Sequence, residues 1–159
     1  ARKFDVSVEA ELGTVGGTED GIVVEQKDVQ YTDPEDAVEF IRQTGIDALA
    51  VAIGTNHGQY KSKTKINFKR LEEIKKAVDI PLVIHGGTGV KEEDVKKVIR
   101  RGIRKFNVGT ELLVGWNRKA KECYDSHKEN VSNRDNVVPC LNVIEEIVEK
   151  KINLFKNIG

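Results

Sequence analysis

The sequence predicts an α/β protein with a parallel sheet, and two observations carry that prediction. Four segments of strand length alternate with segments whose apolar residues recur every three or four positions, which is the pattern of successive strand–helix units. Two of the strand-like runs, at 49–53 and 82–84, are continuously apolar, as parallel strands buried on both faces are. Each run is followed by a histidine and then glycine, at His57 and His85, where ligands of α/β proteins bind.

The first predicted strand runs from Asp5 to Leu12, because apolar and polar residues alternate there with a period of two. Its polar side offers two inward carboxylates. The glycine-rich stretch from Gly13 to Gly21 that follows is predicted to be a mobile loop, able to act as a lid.

Helix signals bound the next two units. Asp33 is predicted as an N-cap before Pro34, and Gly45 as the residue that ends that helix. A strand is expected from Leu49 to Gly54, and Asn67 is predicted to cap the following helix.

The same signals predict the remaining strands and helices. A strand from Leu82 to Ile84 precedes a helix closed by Gly102, and a fourth strand covers Ile103 to Val108. The segment from Leu112 onward predicts two helices separated by a polar stretch from Asn130 to Asn136, with the last helix running from about Leu141 to Phe155.

The pattern alone fits both a doubly wound sheet and part of a (β/α)₈ barrel. The barrel is favoured because Glu11, His57, His85 and Asn107 each lie at the end of a different strand, and barrel enzymes build their sites from such ends. A complete barrel has eight strands, and this sequence supplies four.

Composition narrows the classes of partner. The 26 basic and 26 acidic residues cancel, and no basic run is interleaved with aromatic residues, so nucleic acid is not an expected partner. Cys123 and Cys140 lack metal-site spacing and are expected to be ordinary reduced thiols. No apolar run reaches the ~20 residues of a membrane span, so we expect neither a membrane partner nor a secretory leader. The expected location is therefore the cytoplasm.

The strand ends suggest two kinds of chemistry. Imidazole is a good zinc ligand, so His57 and His85 could supply two of the about three protein ligands of a catalytic zinc, although either could instead be a hydrogen-bonded core residue. The glycine turns at 86–89 and 107–110 precede helices and could hold a phosphate, or merely connect elements. Lys61 could add a cation to that site, whereas His127 is expected at the surface.

Four segments, in this order, resemble the motifs of the class II, metal-dependent ketose-bisphosphate aldolases. The likeness runs from Arg2 to the last helix. The segments are Glu9–Gly21, Ala52–Lys61, His85–Gly89 and Asn107–Glu111.

The resemblance implies the fold and the reaction. The fold would be the C-terminal half, strands 5 to 8, of a (β/α)₈ (TIM) barrel plus C-terminal helices, with residues 1–118 in the half barrel and 119–159 in a helical extension packed on the same domain. The reaction would be the cleavage of a ketose 1,6-bisphosphate, fructose or tagatose, to dihydroxyacetone phosphate and glyceraldehyde 3-phosphate, or the reverse condensation. Relatives are dimers or tetramers.

The resemblance also implies roles for individual residues. His57 and His85 match metal ligands for Zn²⁺ or another divalent metal, and Glu11 matches a carboxylate at a second metal position. Glu19 matches a proton-exchanging glutamate, and Asn107 an amide that hydrogen-bonds the reacting substrate. Members also use a monovalent cation, Na⁺ or K⁺, near the phosphate. The substrate- and phosphate-binding residues would be Gly58, Lys61, Gly86, Thr88, Asn107, Gly109 and Thr110.

Two departures from the family pattern shape the hypothesis. The catalytic aspartate and the first zinc histidine of the family lie on earlier strands, so the N-terminal half of the barrel is expected to be missing here, and activity is expected only when that half is supplied. Gly109 stands where fructose-type relatives often carry Asp, which favours tagatose bisphosphate or relaxed stereochemistry.

Two other readings stay open. One is a non-catalytic phosphate-binding half-barrel or assembly module, which is disfavoured by the joint presence of Glu11, Glu19, His57, His85 and Asn107. The other is a phosphate-binding barrel enzyme that uses no metal.

Overall fold

The structure is a computed structural model that describes residues 1–19, 22–25, 29–58, 65–126 and 132–156. At 18, 19, 22 and 23 only the backbone is described. The chain divides into two compact units, Ala1–Val108 and Gly109–Gly159.

A short 3₁₀ helix, Arg2–Phe4, opens the first unit. The strands are β1 Glu9–Leu12, β2 Gly16–Glu19, β3 Ile22–Val24, β4 Ala48–Val51, β5 Asn56–His57, β6 Leu82–Ile84 and β7 Ile103–Phe106. The helices are α1 Pro34–Thr44, α2 Phe68–Ala77, α3 Glu92–Arg100, α4 Thr110–Ser126 and α5 Asn133–Lys156.

The main sheet has four parallel strands in the order β1-β4-β6-β7. This spatial order is the order in which the strands occur along the chain. A doubly wound sheet would reverse direction at a switch point, whereas a barrel adds each strand beside the previous one. The strand order therefore resolves the two architectures that the sequence left open in favour of a barrel segment.

The register assigns the two faces of this sheet. Leu49, Leu82 and Ile103 lie side by side on neighbouring strands, and each is almost completely buried. They share one face with Val51 and Ile84, since side chains alternate along a strand. Buried helix residues supply the rest of the core: Ala37 of α1, Leu71 and Ile74 of α2, and Val95 and Val98 of α3.

The predicted helix boundaries in the first unit are confirmed by their caps. The Asp33 carboxylate accepts a hydrogen bond from the Glu35 amide, and Gly45 ends α1 in the left-handed region at φ 62°. The Asn67 side chain accepts from the Arg70 amide at the start of α2. Each cap satisfies a backbone group that a helix end leaves without a partner.

Two predictions in the first unit are wrong in part. The first strand begins at Glu9 rather than Asp5, because Asp5 adopts the left-handed conformation at φ 53° and ends the 3₁₀ helix. The stretch from Gly13 to Gly21 is not a plain loop: Gly16–Glu19 forms β2, which pairs with β3 and with β5 in a second, three-stranded sheet. Backbone pairing needs no bulky side chains, so glycine composition did not reveal it.

The second unit consists of α4 and α5. The last helix begins at Asn133, before the predicted Leu141, and Pro139 lies within it. Gly115 allows close approach, because a Cβ there would lie 2.6 Å from Ile147 Cδ1. The helix α4 runs continuously across the predicted boundary between residues 118 and 119, and that division of the chain stays a prediction.

No helix in the described segments combines the length and apolar character needed to cross a bilayer.

Candidate metal centre

Three side chains predicted as metal ligands converge near the carboxyl ends of β1, β5 and β6. One ligand atom from each of Glu11, His57 and His85 lies within 4.8 Å of the other two. The two imidazole rings meet edge to face, with centroids 6.3 Å apart. Both histidines are half-buried and Glu11 is exposed, so the cluster is open on one side.

The sheet register explains how Glu11 and His85 meet across an intervening strand. Glu11 of β1 lies beside Ala50 of β4, and Ala50 lies beside Val83 of β6. His85 follows Val83 by two positions and therefore projects from the same face. Alanine at position 50 leaves the space above β4 open for the longer side chains on either side.

Glycines on two sides determine the position of His57. Gly17 pairs with His57 in the small sheet, and a Cβ on Gly17 would overlap the His57 carbonyl oxygen. A Cβ on Gly86 would overlap the Asn56 carbonyl oxygen. Both glycines have positive φ, at 107° and 66°. The backbone that carries His57 is thus enclosed by two chain segments that only glycine allows to come so close.

Both ring nitrogens of His85 face carboxylates. Nδ1 lies 3.3 Å from Glu11 Oε2, and Nε2 lies 3.1 Å from Glu9 Oε1. The Glu11 contact raises the pKa of His85 above its usual value; burial acts in the opposite direction, and the Glu9 contact adds to the rise. Without a metal, the ring is therefore biased towards its protonated form.

Glu9 and Lys105 were not among the predicted site residues. Lys105 Nζ lies 2.8 Å and 3.0 Å from the two carboxylate oxygens of Glu9. Burial alone would raise the pKa of Glu9, but the hydrogen bonds from Lys105 and His85 outweigh it and lower the pKa. The period of two places Glu9 on the same side of its strand as Glu11, and Lys105 on the same side as Asn107, but it does not show that the two residues meet.

Asn107 is tied to the turn that follows His85. The Asn107 amide donates to the Ile84 carbonyl oxygen at 2.9 Å, and the Gly87 amide donates to the Asn107 carbonyl oxygen at 2.9 Å. The structure thus joins the end of β7 to the glycine turn that contains Gly86 and Thr88.

The remaining predicted site residues lie in both units or outside the described part of the chain. Glu19 ends β2, and its side chain is outside the described part. Gly58 directly follows His57, with φ 82°. Lys61 and His127 lie outside the described residues, whereas Gly109 and Thr110 begin the second unit.

The donor set fits a divalent transition metal. Two imidazoles and one carboxylate are ligand types that zinc accepts, and catalytic zinc sites use about three protein ligands with one open position. The distances between the ligand atoms are short enough for one ion to contact all three. The candidate centre therefore has the chemistry of a catalytic rather than a closed structural metal site.

Comparison with solved structures gives relatives of about twice this length. The YdjI aldolase from Escherichia coli K12 is 35% identical with a TM-score of 0.74, and the match covers 99% of this chain and 52% of that one. A candidate fructose-1,6-biphosphate aldolase from Coccidioides immitis is 30% identical with a TM-score of 0.79, covering 99% and 55%. The chain thus spans about half the length of these proteins.

A third structure supports the fold alone. The fructose-bisphosphate aldolase of Campylobacter jejuni is 22% identical, with a TM-score of 0.73 over 98% of this chain and 53% of that one. The predicted fold class, an α/β half barrel with a parallel sheet and helices, is confirmed by these matches together with the strand order.

A family model agrees with the motifs that the sequence displays. The model of class-II fructose-bisphosphate aldolases matches residues 1–159, which is the whole of the given sequence. Together with the strand order and the cluster of Glu11, His57 and His85, this match shows that the chain belongs to the class-II fructose-bisphosphate aldolase family.

Proposed function

We propose that this chain carries the C-terminal half of the active site of a metal-dependent aldolase. The enzyme cleaves a ketose 1,6-bisphosphate to dihydroxyacetone phosphate and glyceraldehyde 3-phosphate, and catalyses the reverse condensation. The observation that supports this most directly is the convergence of Glu11, His57 and His85 within 4.8 Å.

His57 and His85 are the proposed metal ligands, with Glu11 at a second, alternative position. Zn²⁺ is the proposed ion, and another divalent transition metal would suit the same donors. A metal bound there supplies Lewis acidity towards the ketone and hydroxyl oxygens of the substrate. The open side of the cluster, at the exposed Glu11, leaves room for those oxygens.

Glu19 is the proposed group that exchanges a proton with dihydroxyacetone phosphate in the condensation direction. Its strand is paired to the metal-ligand segment, since Gly17 lies beside His57 and Glu19 follows two residues later. Asn107 would donate a side-chain hydrogen bond to the substrate oxygen on which negative charge develops.

The phosphate is proposed to bind at the glycine turns. Gly58 and Gly86 would contribute backbone amides, and Thr88, Thr110 and Lys61 would add donors. The first turn of α3 carries Glu92, Glu93 and Asp94, so the turn amides rather than the terminus of that helix would hold the anion. A monovalent cation, Na⁺ or K⁺, near the phosphate completes the proposal.

The site requires a partner half. A third histidine ligand and a catalytic aspartate are proposed to come from the N-terminal half of the same barrel, so the chain would turn over substrate only in its presence. We further propose a cytoplasmic dimer or tetramer of the completed barrel.

An activity assay tests this proposal. The chain is assayed for zinc-dependent cleavage of both bisphosphates, alone and with the N-terminal half, and intact mass of the protein from its source shows whether one molecule of about twice 17.8 kDa carries both halves. We expect activity only in the completed barrel, lost with a chelator and in His85→Ala. His127→Ala is the matched control and should retain activity. Turnover by the chain alone, or by the completed barrel without metal, would contradict the proposal.

The sugar is addressed by a second assay. Gly109 has no side chain to contact the C4 hydroxyl, whose configuration distinguishes fructose from tagatose, and no atom of the described residues lies within 4 Å of a Cβ built on it. We propose tagatose 1,6-bisphosphate or both sugars as substrate. Gly109→Asp should raise the ratio of kcat/KM for fructose over tagatose bisphosphate, and an unchanged ratio would contradict this assignment.

A further inference from the structure

Glu9 and Lys105 form a contact that no predicted role uses. Glu9 lies on β1 and Lys105 on β7, the two outermost strands of the main sheet. Their contact at 2.8 Å therefore spans the two strands β4 and β6 that lie between them, and shows how strongly the site-bearing face is curved. The same carboxylate reaches His85 Nε2 at 3.1 Å.

The two sides of the His85 ring differ in what they can do. The Nδ1 side faces Glu11, whose carboxylate belongs to the three-residue cluster, so a metal bound by that cluster takes up this side. The Nε2 side faces Glu9, which is outside the cluster. A neutral imidazole carries one ring proton, and a ligating histidine commonly donates it to a carboxylate on the side away from the metal.

We propose that Glu9 is a positioning residue of the metal centre, which accepts the Nε2 proton of His85 and so directs Nδ1 of the same ring to the metal. The inference rests on the proposed function for the identity of the centre. Beyond the three proposed metal ligands, it assigns to Glu9 the choice of the His85 ring tautomer and the orientation of the ring plane.

Lys105 makes Glu9 suitable for this role. Its ammonium contacts both carboxylate oxygens, at 2.8 Å and 3.0 Å, so the carboxylate is balanced by a cation and held in one orientation. A carboxylate without that anchor could turn towards the metal and compete with Glu11 as a ligand. Glu9 is 26% exposed and His85 18%, so water competes only partly for their hydrogen bond.

The test measures metal affinity and ring tautomer in the completed barrel. Zinc affinity is obtained by competition with a chromophoric chelator, and the His85 tautomer by long-range ¹H–¹⁵N NMR of the metal-free protein at alkaline pH, where the ring is neutral. Glu9→Ala should weaken zinc binding about 10- to 100-fold, the range for loss of an outer-shell carboxylate. It should also abolish the preference for the Nε2–H tautomer.

Conservative variants separate positioning from folding. Glu9→Gln has the same shape and keeps a carbonyl acceptor, so it should lose less affinity than Glu9→Ala, and Lys105→Met should fall between the wild type and Glu9→Ala. Glu72→Ala is the matched control, because it removes another ion pair between distant elements, with Arg101 at 2.7 Å, away from the cluster. Its zinc affinity should equal that of the wild type.

Two results would overturn the inference: zinc affinity of Glu9→Ala within twofold of the wild type, or an Nδ1–H tautomer in the wild type. A wild-type protein that binds no zinc would instead contradict the proposed function. In that case the tautomer measurement still decides whether Glu9 sets the ring.

Discussion

Two glycines, Gly17 and Gly86, determine where the backbone that carries His57 lies in the candidate centre. Gly17 and Gly86 lie against the backbone of residues 56 and 57, at places where any Cβ would overlap a carbonyl oxygen. Both have positive φ, a conformation that costs other residues roughly 1–2 kcal/mol. The position of His57 thus depends on residues that have no side chain.

Gly86→Ala tests this dependence. The substitution should lower the free energy of unfolding by at least about 1 kcal/mol, from the positive φ alone, and should weaken metal binding because the Asn56–His57 backbone must move. Urea unfolding followed by circular dichroism, together with zinc competition, measures the two effects. Gly109→Ala is the comparison for stability, since none of the residues that the structure describes has an atom within 4 Å of its Cβ position. Equal losses in the two variants would show that the close approach at Gly86 carries no cost.

Among the elements, the start of α1 is stabilised by an ion pair as well as by a side-chain N-cap. The Asp33 carboxylate accepts from the Glu35 amide at 2.9 Å and contacts Arg70 of α2 at 2.9 Å. The hydrogen bond from the Glu35 amide lowers the pKa of Asp33; burial opposes the shift, and Arg70 supports it. This cap therefore links the start of one helix to its neighbour.

The lowered pKa gives a prediction for the pH dependence of stability. A carboxyl group whose pKa is lower in the folded state stabilises the fold above its unfolded pKa, about 3.9, and loses that contribution as pH falls through the folded pKa. Asn also caps helices but has no proton to gain. The difference in unfolding free energy between wild type and Asp33→Asn, from urea titrations, should be constant near neutral pH and shift against the wild type below about pH 4. A difference independent of pH down to the acid limit would contradict the assignment.

For the whole molecule, the strand order determines which strands lie at the edges of the main sheet. The strands are added in chain order, so β1 and β7 are the edges of the described main sheet. Sheet edges present unpaired backbone groups that pair with other chains. In the proposed complete barrel these edges would pair with the strands of the N-terminal half.

The chain alone is therefore expected to self-associate. Sedimentation velocity should show an average mass that rises with concentration, and adding the N-terminal half should replace the mixture with one defined species. Leu141→Lys distinguishes edge pairing from apolar contact between helices, because Leu141 is 53% exposed and belongs to the helix α5, not to a strand. If sheet edges drive association, this variant should associate as the wild type does. A monomer at all concentrations would contradict the prediction.

Local sequence determined the elements with strong local signals. The caps Asp33, Asn67 and Gly45, the strand Leu82–Ile84 and the placement of His85 directly after that strand follow from interactions within a few residues, which a sequence displays directly. It also determined the family, since the ordered motifs and the family model agree.

Only the tertiary structure decided the rest, because those features depend on residues far apart in the chain. The strand order selected a barrel segment over a doubly wound sheet, and pairing with His57 turned a glycine-rich stretch into β2. The contact between Glu9 and Lys105 joins residues separated by 96 positions. No local pattern contains that distance: alternation places Glu9 and Lys105 each on one face of its strand, but only the curved sheet brings the two edge strands together behind His85.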